Sequence, residues 1–216
     1  MPLLRVDEEQ AVRELFARLE RDVELVLVLG PQQTPLAGAG DIDFSAEARE
    51  VLEAVAGLGE RVSLRVAELP ELEVERFPAV CVLADGEDTR IRYYGLPWGY
   101  EVASIVGAVL EAGRAESSLA PETLERLEAL EHDITLEVFV TPTCPHCPPA
   151  VLLAYRAALA SPRVRAAAIE STEFPALAEQ HGVYAVPAIV IDGEHRYDGA
   201  VPEPVFVERL LAAAGS

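Results

Sequence analysis

Thr141-Pro142-Thr143-Cys144-Pro145-His146-Cys147-Pro148-Pro149 follows the alternating run Thr135–Val140 and precedes the helix-like run Ala150–Ala160. The order predicts strand, tight turn and helix, with Cys144 at the turn. A helix start presents unpaired N–H groups and the positive end of its dipole. Both favour a thiolate over a thiol. At this spacing the second cysteine can attack a mixed disulfide formed by the first. Cys144 is therefore the candidate nucleophile, and the more shielded Cys147 the resolving thiol. Two other readings of such a pair stay open at this point: half of a zinc site, or an inert pair. Zinc usually takes two further Cys or His ligands. The only other cysteine, Cys81, lies far upstream, and His146 sits inside the loop, where it would reach a metal held by both flanking thiols under strain. No metal is expected.

The 216 residues are half hydrophobic, enough for one sizeable core or two small ones. Seventeen basic residues against 37 acidic ones give a net charge of −20. That argues against nucleic acid and anionic membrane surfaces and favours a basic partner. The stretch Met1–Glu9 lacks the basic-then-apolar order of a secretion signal, and no apolar run reaches membrane-spanning length. Three cysteines do not make a secreted disulfide scaffold. The expectation is a cytoplasmic α/β protein. Glycines 38, 40, 57 and 59 form no phosphate-binding loop, and no Ser-His-Asp pattern is present.

Along the chain, Val6–Glu20 reads as an amphipathic helix, with Asp7 and Gln10 as a capping box. Leu25–Leu29 is a continuous apolar run, as in a strand buried on both faces. Gly30–Gly40 is a loop by composition. Ser45–Ala56 is a helix with Ser45 as its cap. Strands at Arg61–Val66, Pro78–Leu83 and Thr89–Tyr94 and a helix at Tyr100–Ala112 complete this half.

The second half repeats the plan: helix Pro121–Leu130, strand Thr135–Val140, helix Ala150–Ala160, strand Val164–Ile169 and helix Phe174–His181. Strands Pro187–Ile191 and His195–Tyr197 and helix Glu203–Ala213 follow. Leu25–Pro31 overlays Leu136–Pro142 at an offset of 111 residues, and Pro78 pairs with Pro187. Internal duplication is the economical account, with units 1–117 and 118–216 and a seam in Glu116–Ala120. At that offset Cys144 falls on Gln33 and Cys147 on Leu36, so the first unit lacks the thiols and is a scaffold or a docking surface. Cys81, inside an apolar strand, reads as a core thiol.

Phe139–Pro148 and Ala185–Ile191 carry a family resemblance that extends over nearly the whole chain. The sequence resembles the protein disulfide oxidoreductases of thermophiles, glutaredoxin-like proteins of two tandem thioredoxin folds. It is also similar to the N-terminal domain of the alkyl hydroperoxide reductase flavoprotein, where only the second fold keeps its cysteine pair. The resemblance implies two thioredoxin-like units joined through a continuous central mixed sheet. It implies that Cys144 attacks and Cys147 resolves, that Pro187 is a cis-proline facing the disulfide, and that Val186 offers backbone hydrogen bonds to substrate. Thr143 joins Val186 as a substrate-contact candidate. The common family pattern has a cysteine pair in each half, and this sequence departs from it.

Among the remaining candidates, Pro145 tightens the turn and removes a donor that a helix start does not need. His146 can place positive charge beside Cys144 and favour its thiolate, or be an idle loop residue. Pro148 and Pro149 are expected to leave the first helical turn loosely bonded. Glu137, a charge within a strand, is a candidate proton acceptor for Cys147 or a salt-bridged structural residue, and Glu170 shares the ambiguity. Tyr93, Tyr94, Trp98 and Tyr100 form either packing between the halves or an aromatic docking rim. The predicted activity is thiol–disulfide exchange on protein disulfides, with no organic cofactor for that step. A flavoprotein of the thioredoxin reductase type or a peroxiredoxin would be the partner. The alternative is a redox-inactive, protein-binding adaptor with a structural cysteine pair.

Overall fold

The apolar run at Leu25 lies within β1 (Val23–Val28), whose last four side chains are all buried, as a strand covered on both faces requires. A computed structural model describes residues 4–30, 44–67 and 72–215. Strand β2 (Val62–Ala67) pairs parallel to β1, and β3 (Ala79–Ala84) pairs antiparallel on its other side. Asp85 and Gly86, at φ 50° and 85°, turn β3 into β4 (Glu87–Tyr94). Two consecutive left-handed residues match the twist of the flanking strands. The second half repeats this with β5 (Ile134–Val140), its parallel neighbour β6 (Val164–Glu170), and antiparallel β7 (Ala188–Ile191) and β8 (His195–Asp198). Left-handed Asp192 and Gly193 stand at the equivalent turn.

The halves join edge to edge. Ile91–Tyr94 of β4 run parallel to Ala166–Ile169 of β6. Among the described residues this makes one eight-stranded mixed sheet of order β2-β1-β3-β4-β6-β5-β7-β8. Each half has the same internal order, so the fold is a tandem of two equivalent units fused through a continuous sheet, as the resemblance implied. The two halves also share a cis X–Pro bond before the third strand, at Phe77–Pro78 and Val186–Pro187.

One sheet face is covered by α1 (Val6–Phe16), α2 (Ser45–Ala56), α3 (Val102–Ala112), α4 (Pro121–Glu128), α5 (Cys147–Ala160) and α7 (Glu203–Ala214). The opposite face is covered by α6 (Pro175–Gln180) and the segment around Leu72–Phe77. Period-two alternation assigns each strand residue to one of these layers. Val138 and Ala168 meet α5, while Phe139 and Ile169 meet α6.

Several sequence-based boundaries are corrected. α1 is capped at Arg5, whose N–H donates to the Glu8 carboxylate at 2.9 Å, so the box begins two residues before Asp7. The helix stops at Phe16, because the chain turns so that the N–H groups of Glu20 and Arg21 reach the Gly113 carbonyl. Ser45 is the first helical residue of α2, and Phe44 holds the cap position. Tyr100 belongs to a short 3₁₀ turn, Gly99–Glu101, that precedes α3. α5 begins at Cys147 rather than Ala150, since first-turn prolines occupy positions that need no donor. The loop Gly30–Gly40, apart from Gly30 itself, lies outside the described residues, as do Gln33 and Leu36. Among the described residues no helix is long and apolar enough to cross a membrane.

Candidate active site

The cysteine pair sits where β5 ends and α5 begins, at the carboxyl edge of the parallel strands. The Cys144 N–H donates to the Thr141 carbonyl at 3.1 Å, closing a turn that lifts Cys144 to the start of the helix. Cys144 and Cys147 form a disulfide with their Cα atoms 5.5 Å apart. Their exposures differ in the direction that exchange requires. Cys144 is 8% exposed and Cys147 is fully buried. Thr143, Pro145 and His146 are exposed around Cys144, and His146 holds the cap position of α5.

Across from the pair, the cis bond Val186–Pro187 precedes β7. The Cys144 sulfur lies 3.7 Å from the Val186 carbonyl. Pro187 is buried, and its carbonyl accepts the Gly199 N–H at 2.7 Å. The Val186 backbone thus stands beside the Cys144 sulfur.

Glu137 is elsewhere. Leu136 and Val138 pack in the layer of Cys147, so Glu137 points to the opposite face with Phe139. There its carboxylate lies 3.4 Å from Arg76 and 3.7 Å from His181. Burial raises its pKa, opposed by Arg76 and by the neighbouring His181. The alternation that buries β5 on both faces excludes Glu137 from serving Cys147.

Two other carboxyls occupy the correct face. Glu170, 1% exposed, continues the alternation of Ala166 and Ala168 and pairs in register with Val140. Burial raises its pKa, opposed by hydrogen bonds from Thr172 and Glu173. Glu101 is fully buried in the 3₁₀ turn, which packs against α5. The neighbouring Tyr100 N–H donates to the Pro142 carbonyl at 2.9 Å, tying this turn of the first half to the cysteine loop of the second. Burial pushes the Glu101 carboxyl up to about 8, with the Glu170 charge adding to the rise. Sequence reading missed Glu101 because it resembles an ordinary first-turn carboxylate. Its neighbour Gly99 is the available signal: a Cβ there would fall 2.3 Å from the Pro142 carbonyl oxygen, so only glycine permits the approach.

The aromatic cluster divides. Tyr93 and Tyr94 are core, whereas Trp98 and Tyr100 are half-exposed beside the cysteine loop. Cys81 is fully buried in β3, opposite Arg92, and burial raises its thiol to about 11. It is an unreactive core group. Among the described residues no three His, Cys, Asp or Glu side chains are placed to hold a metal ion.

Comparison with known proteins places this geometry. Residues 134–212 match the thioredoxin domain family. The alkyl hydroperoxide reductase AhpF of Xanthomonas campestris pv. phaseoli is 31% identical over 179 residues, covering 82% of this chain and 33% of the relative. Among solved structures, the NTD_N/C domain of alkylhydroperoxide reductase AhpF from Enterococcus faecalis superposes with a TM-score of 0.85 at 27% identity, covering 96% of this chain and 99% of that one. A protein disulfide oxidoreductase from Aeropyrum pernix K1 gives 0.82 at 26% identity, covering 100% of this chain and 95% of that one. The chain is therefore a tandem thioredoxin-fold protein with a cysteine pair at disulfide distance, consistent with a thiol–disulfide active site. It is homologous to the N-terminal thioredoxin-fold domain of the alkyl hydroperoxide reductase AhpF and to thioredoxin-fold oxidoreductases. It spans about a third of the length of the curated AhpF relatives it matches, 33% and 38% of the first two.

Proposed function

We propose that the chain is a protein disulfide oxidoreductase whose working unit is 118–216 and whose other unit, 1–117, which lacks the cysteine pair, braces it. The observation that carries this reading is the graded burial of the pair at the start of α5, with Cys144 slightly accessible at 8% and Cys147 fully buried, opposite the Val186 carbonyl. The reduced protein begins with a Cys144 thiolate, favoured by the helix start. It attacks one sulfur of a substrate disulfide. One S–S bond forms as another breaks, and the first substrate thiolate leaves. Cys147 then loses its proton and attacks the Cys144 sulfur, closing the internal disulfide and releasing the second substrate thiolate. Two electrons pass from the cysteine pair to the substrate. Pro187 presents the Val186 backbone to an extended substrate, Thr143 borders the approach, and Pro145 keeps the turn tight.

The electrons return from a partner dithiol. We assign that role to a flavoprotein unit of the thioredoxin reductase type, with a peroxiredoxin as an acceptor, because the relatives this chain matches are alkyl hydroperoxide reductases. The cysteine usage, one redox pair and one buried core thiol, supports a cytoplasmic setting. The reading is tested by following insulin disulfide reduction together with alkylation of Cys144 at neutral pH. Turnover with rapid alkylation is expected. A protein with neither would be a binding adaptor with a structural pair.

Glu101 is the buried acid best placed to take the Cys147 proton. Its pKa of about 8, against 4.5 for a free carboxyl, makes a prediction about stability. Below pH 4.5 it is protonated in both folded and unfolded chains, so there is no penalty. Between these values the unfolded chain releases a proton that the folded chain retains, and stability falls by about 1.4 kcal/mol per pH unit. Above about 8 the loss is complete. Glu101→Gln removes that slope, so the oxidised variant should gain stability over wild type as pH rises from 5 to 8. Urea unfolding across that range measures it. A constant difference at every pH would show that the residue ionises normally.

His146 is assigned a tuning role. Replacing it with alanine should raise the Cys144 pKa and make the dithiol a stronger reductant, since a less stabilised thiolate is a poorer leaving group. The change should be modest, because His146 is exposed and the helix start remains. A thiol shift on the order of one pKa unit corresponds to about 1.4 kcal/mol and roughly 30 mV. Thiolate absorbance against pH, with glutathione equilibrium in parallel, reads both quantities. No change in either would make His146 a bystander.

A further inference from the structure

Three buried polar side chains share the face beneath the start of α5. Alternation places Tyr93 with Ala168 and Val138, and Glu170 with Val140, in the layer covered by that helix. Glu101 is the buried residue of the 3₁₀ turn that packs against α5. All three residues are at most 1% exposed. Glu101 is held by one oxygen, which accepts the Ser104 hydroxyl at 2.7 Å. Glu170 is likewise held by one oxygen, which accepts the Thr172 hydroxyl and the Glu173 N–H, both at 2.7 Å. The other oxygen of each, and the Tyr93 hydroxyl, have no hydrogen-bond partner among the described residues. Buried polar groups without a protein partner are the usual holders of an ordered water, which typically makes about three hydrogen bonds.

We propose that Glu101 and Glu170 form a carboxyl pair bridged by a buried water, with the Tyr93 hydroxyl as that water's third partner, and that this pair accepts the proton of Cys147 and passes it to the surface through Glu173. The proposal rests on the thiol–disulfide reading above and extends it to residues acting through Glu101. Two nearby carboxylates resist ionising together, so the pair holds one proton and can share it. Cys147 is the first residue of α5 and is buried in the same layer as Tyr93 and Val140. Tyr155 farther along α5, Tyr93 on β4 and Glu173 beyond β6 are the other titratable groups acting on it. Glu173 is only partly buried, and its carboxylate accepts the Leu96 N–H at 2.6 Å, at the junction of the two halves.

In the resolving step the Cys147 S–H bond breaks and the proton joins the pair. The thiolate attacks the Cys144 sulfur, and the Cys144–substrate bond breaks. The leaving thiolate takes a proton from solvent. Reduction of the internal disulfide runs the transfer backwards. The half without the cysteine pair therefore supplies chemistry as well as support, through Glu101 and Tyr93.

The test is Glu170→Gln in the full chain. The amide oxygen still accepts from Thr172 and Glu173, but it cannot take a proton. Reduced protein is mixed with 5,5′-dithiobis(2-nitrobenzoate), which releases one thionitrobenzoate when Cys144 attacks and a second when Cys147 resolves. The first phase should be unchanged. The second should slow by about ten-fold or more near pH 6–7 and recover as pH rises, the loss expected on removing a proton acceptor. Tyr93→Phe should shift the second phase in the same direction by less. Equal slowing of both phases at every pH would mean a structural role and overturn the proposal, as would an unchanged pH profile of the second phase. A wild-type protein that never releases the second equivalent would instead fault the resolving role of Cys147. The infrared band of protonated carboxyls is read in parallel on the oxidised protein at pH 7. It should be present in wild type and shifted in frequency in Glu170→Gln, where Glu101 keeps its proton without a carboxylate to share it, and its absence from wild type would overturn the pair whatever the kinetics.

Discussion

Cys147→Ser should stop turnover and leave Cys144 bound to its substrate as a stable mixed disulfide. Resolution by Cys147 is intramolecular, with its Cα 5.5 Å from that of Cys144. Well-oriented intramolecular groups act at effective concentrations on the order of 10⁵ M or more, which no external thiol replaces, so turnover should fall at least about a thousand-fold. Cys144→Ser should be equally inactive for a different reason. Cys147 is fully buried and cannot meet a protein disulfide itself, so no adduct should form. Mass spectrometry of each variant after mixing with a disulfide substrate separates the two outcomes. The adduct should appear on Cys147→Ser alone. An adduct on Cys144→Ser instead would reverse the assigned roles.

The same contrast shows how far the sequence can be read. The runs Leu25–Leu29 and Thr135–Val140 announce strands because continuous or alternating apolar residues leave few other ways to bury a backbone. The shared order of elements announces the duplication. The cysteine pair needs only its spacing and a helix behind it. The acids are harder. Glu137 and Glu170 look alike in sequence, one carboxylate in each of two largely apolar strands. Which one faces Cys147 depends on which sheet face α5 covers, a tertiary fact. The alternation Leu136, Val138, Val140 is visible in the sequence, but not the side to which it points. Glu101 is harder still, because it enters from the other half, some 40 residues upstream of the cysteine loop, through a close approach that only Gly99 permits. Helix ends escape sequence reading for a related reason. α1 stops where its chain finds the Gly113 carbonyl, a partner that no local pattern reveals.

Arg90→Ala should destabilise the whole chain. Arg90 belongs to the first half, yet its guanidinium donates to the carbonyls of Ala158 and Ser161 at the end of α5 and of Val164 at the start of β6. Its backbone is left-handed, at φ 65°, with its N–H donating to Asp88 at 2.9 Å, and this aims the side chain across the seam. α5 has no basic residue in its own last turn. Arg90 supplies from the other half the cation that a helix C-terminus favours, together with donors for its last carbonyls. Hydrogen bonds to a charged donor contribute about 1.5–3 kcal/mol, and stranded carbonyls add to the loss, while half-exposure lets water recover part of it. A net loss of about 2–4 kcal/mol is expected for alanine. Lysine should recover less than half, because it keeps the charge but loses the fork that spans three acceptors. Urea unfolding followed by both circular dichroism and Trp98 fluorescence measures this. If the halves are one cooperative unit, the two signals should shift together to lower urea. Loss of part of the circular dichroism ahead of the Trp98 fluorescence would show that the halves unfold separately and that the continuous sheet does not couple them. No loss of stability at all would leave Arg90 a surface residue with incidental contacts.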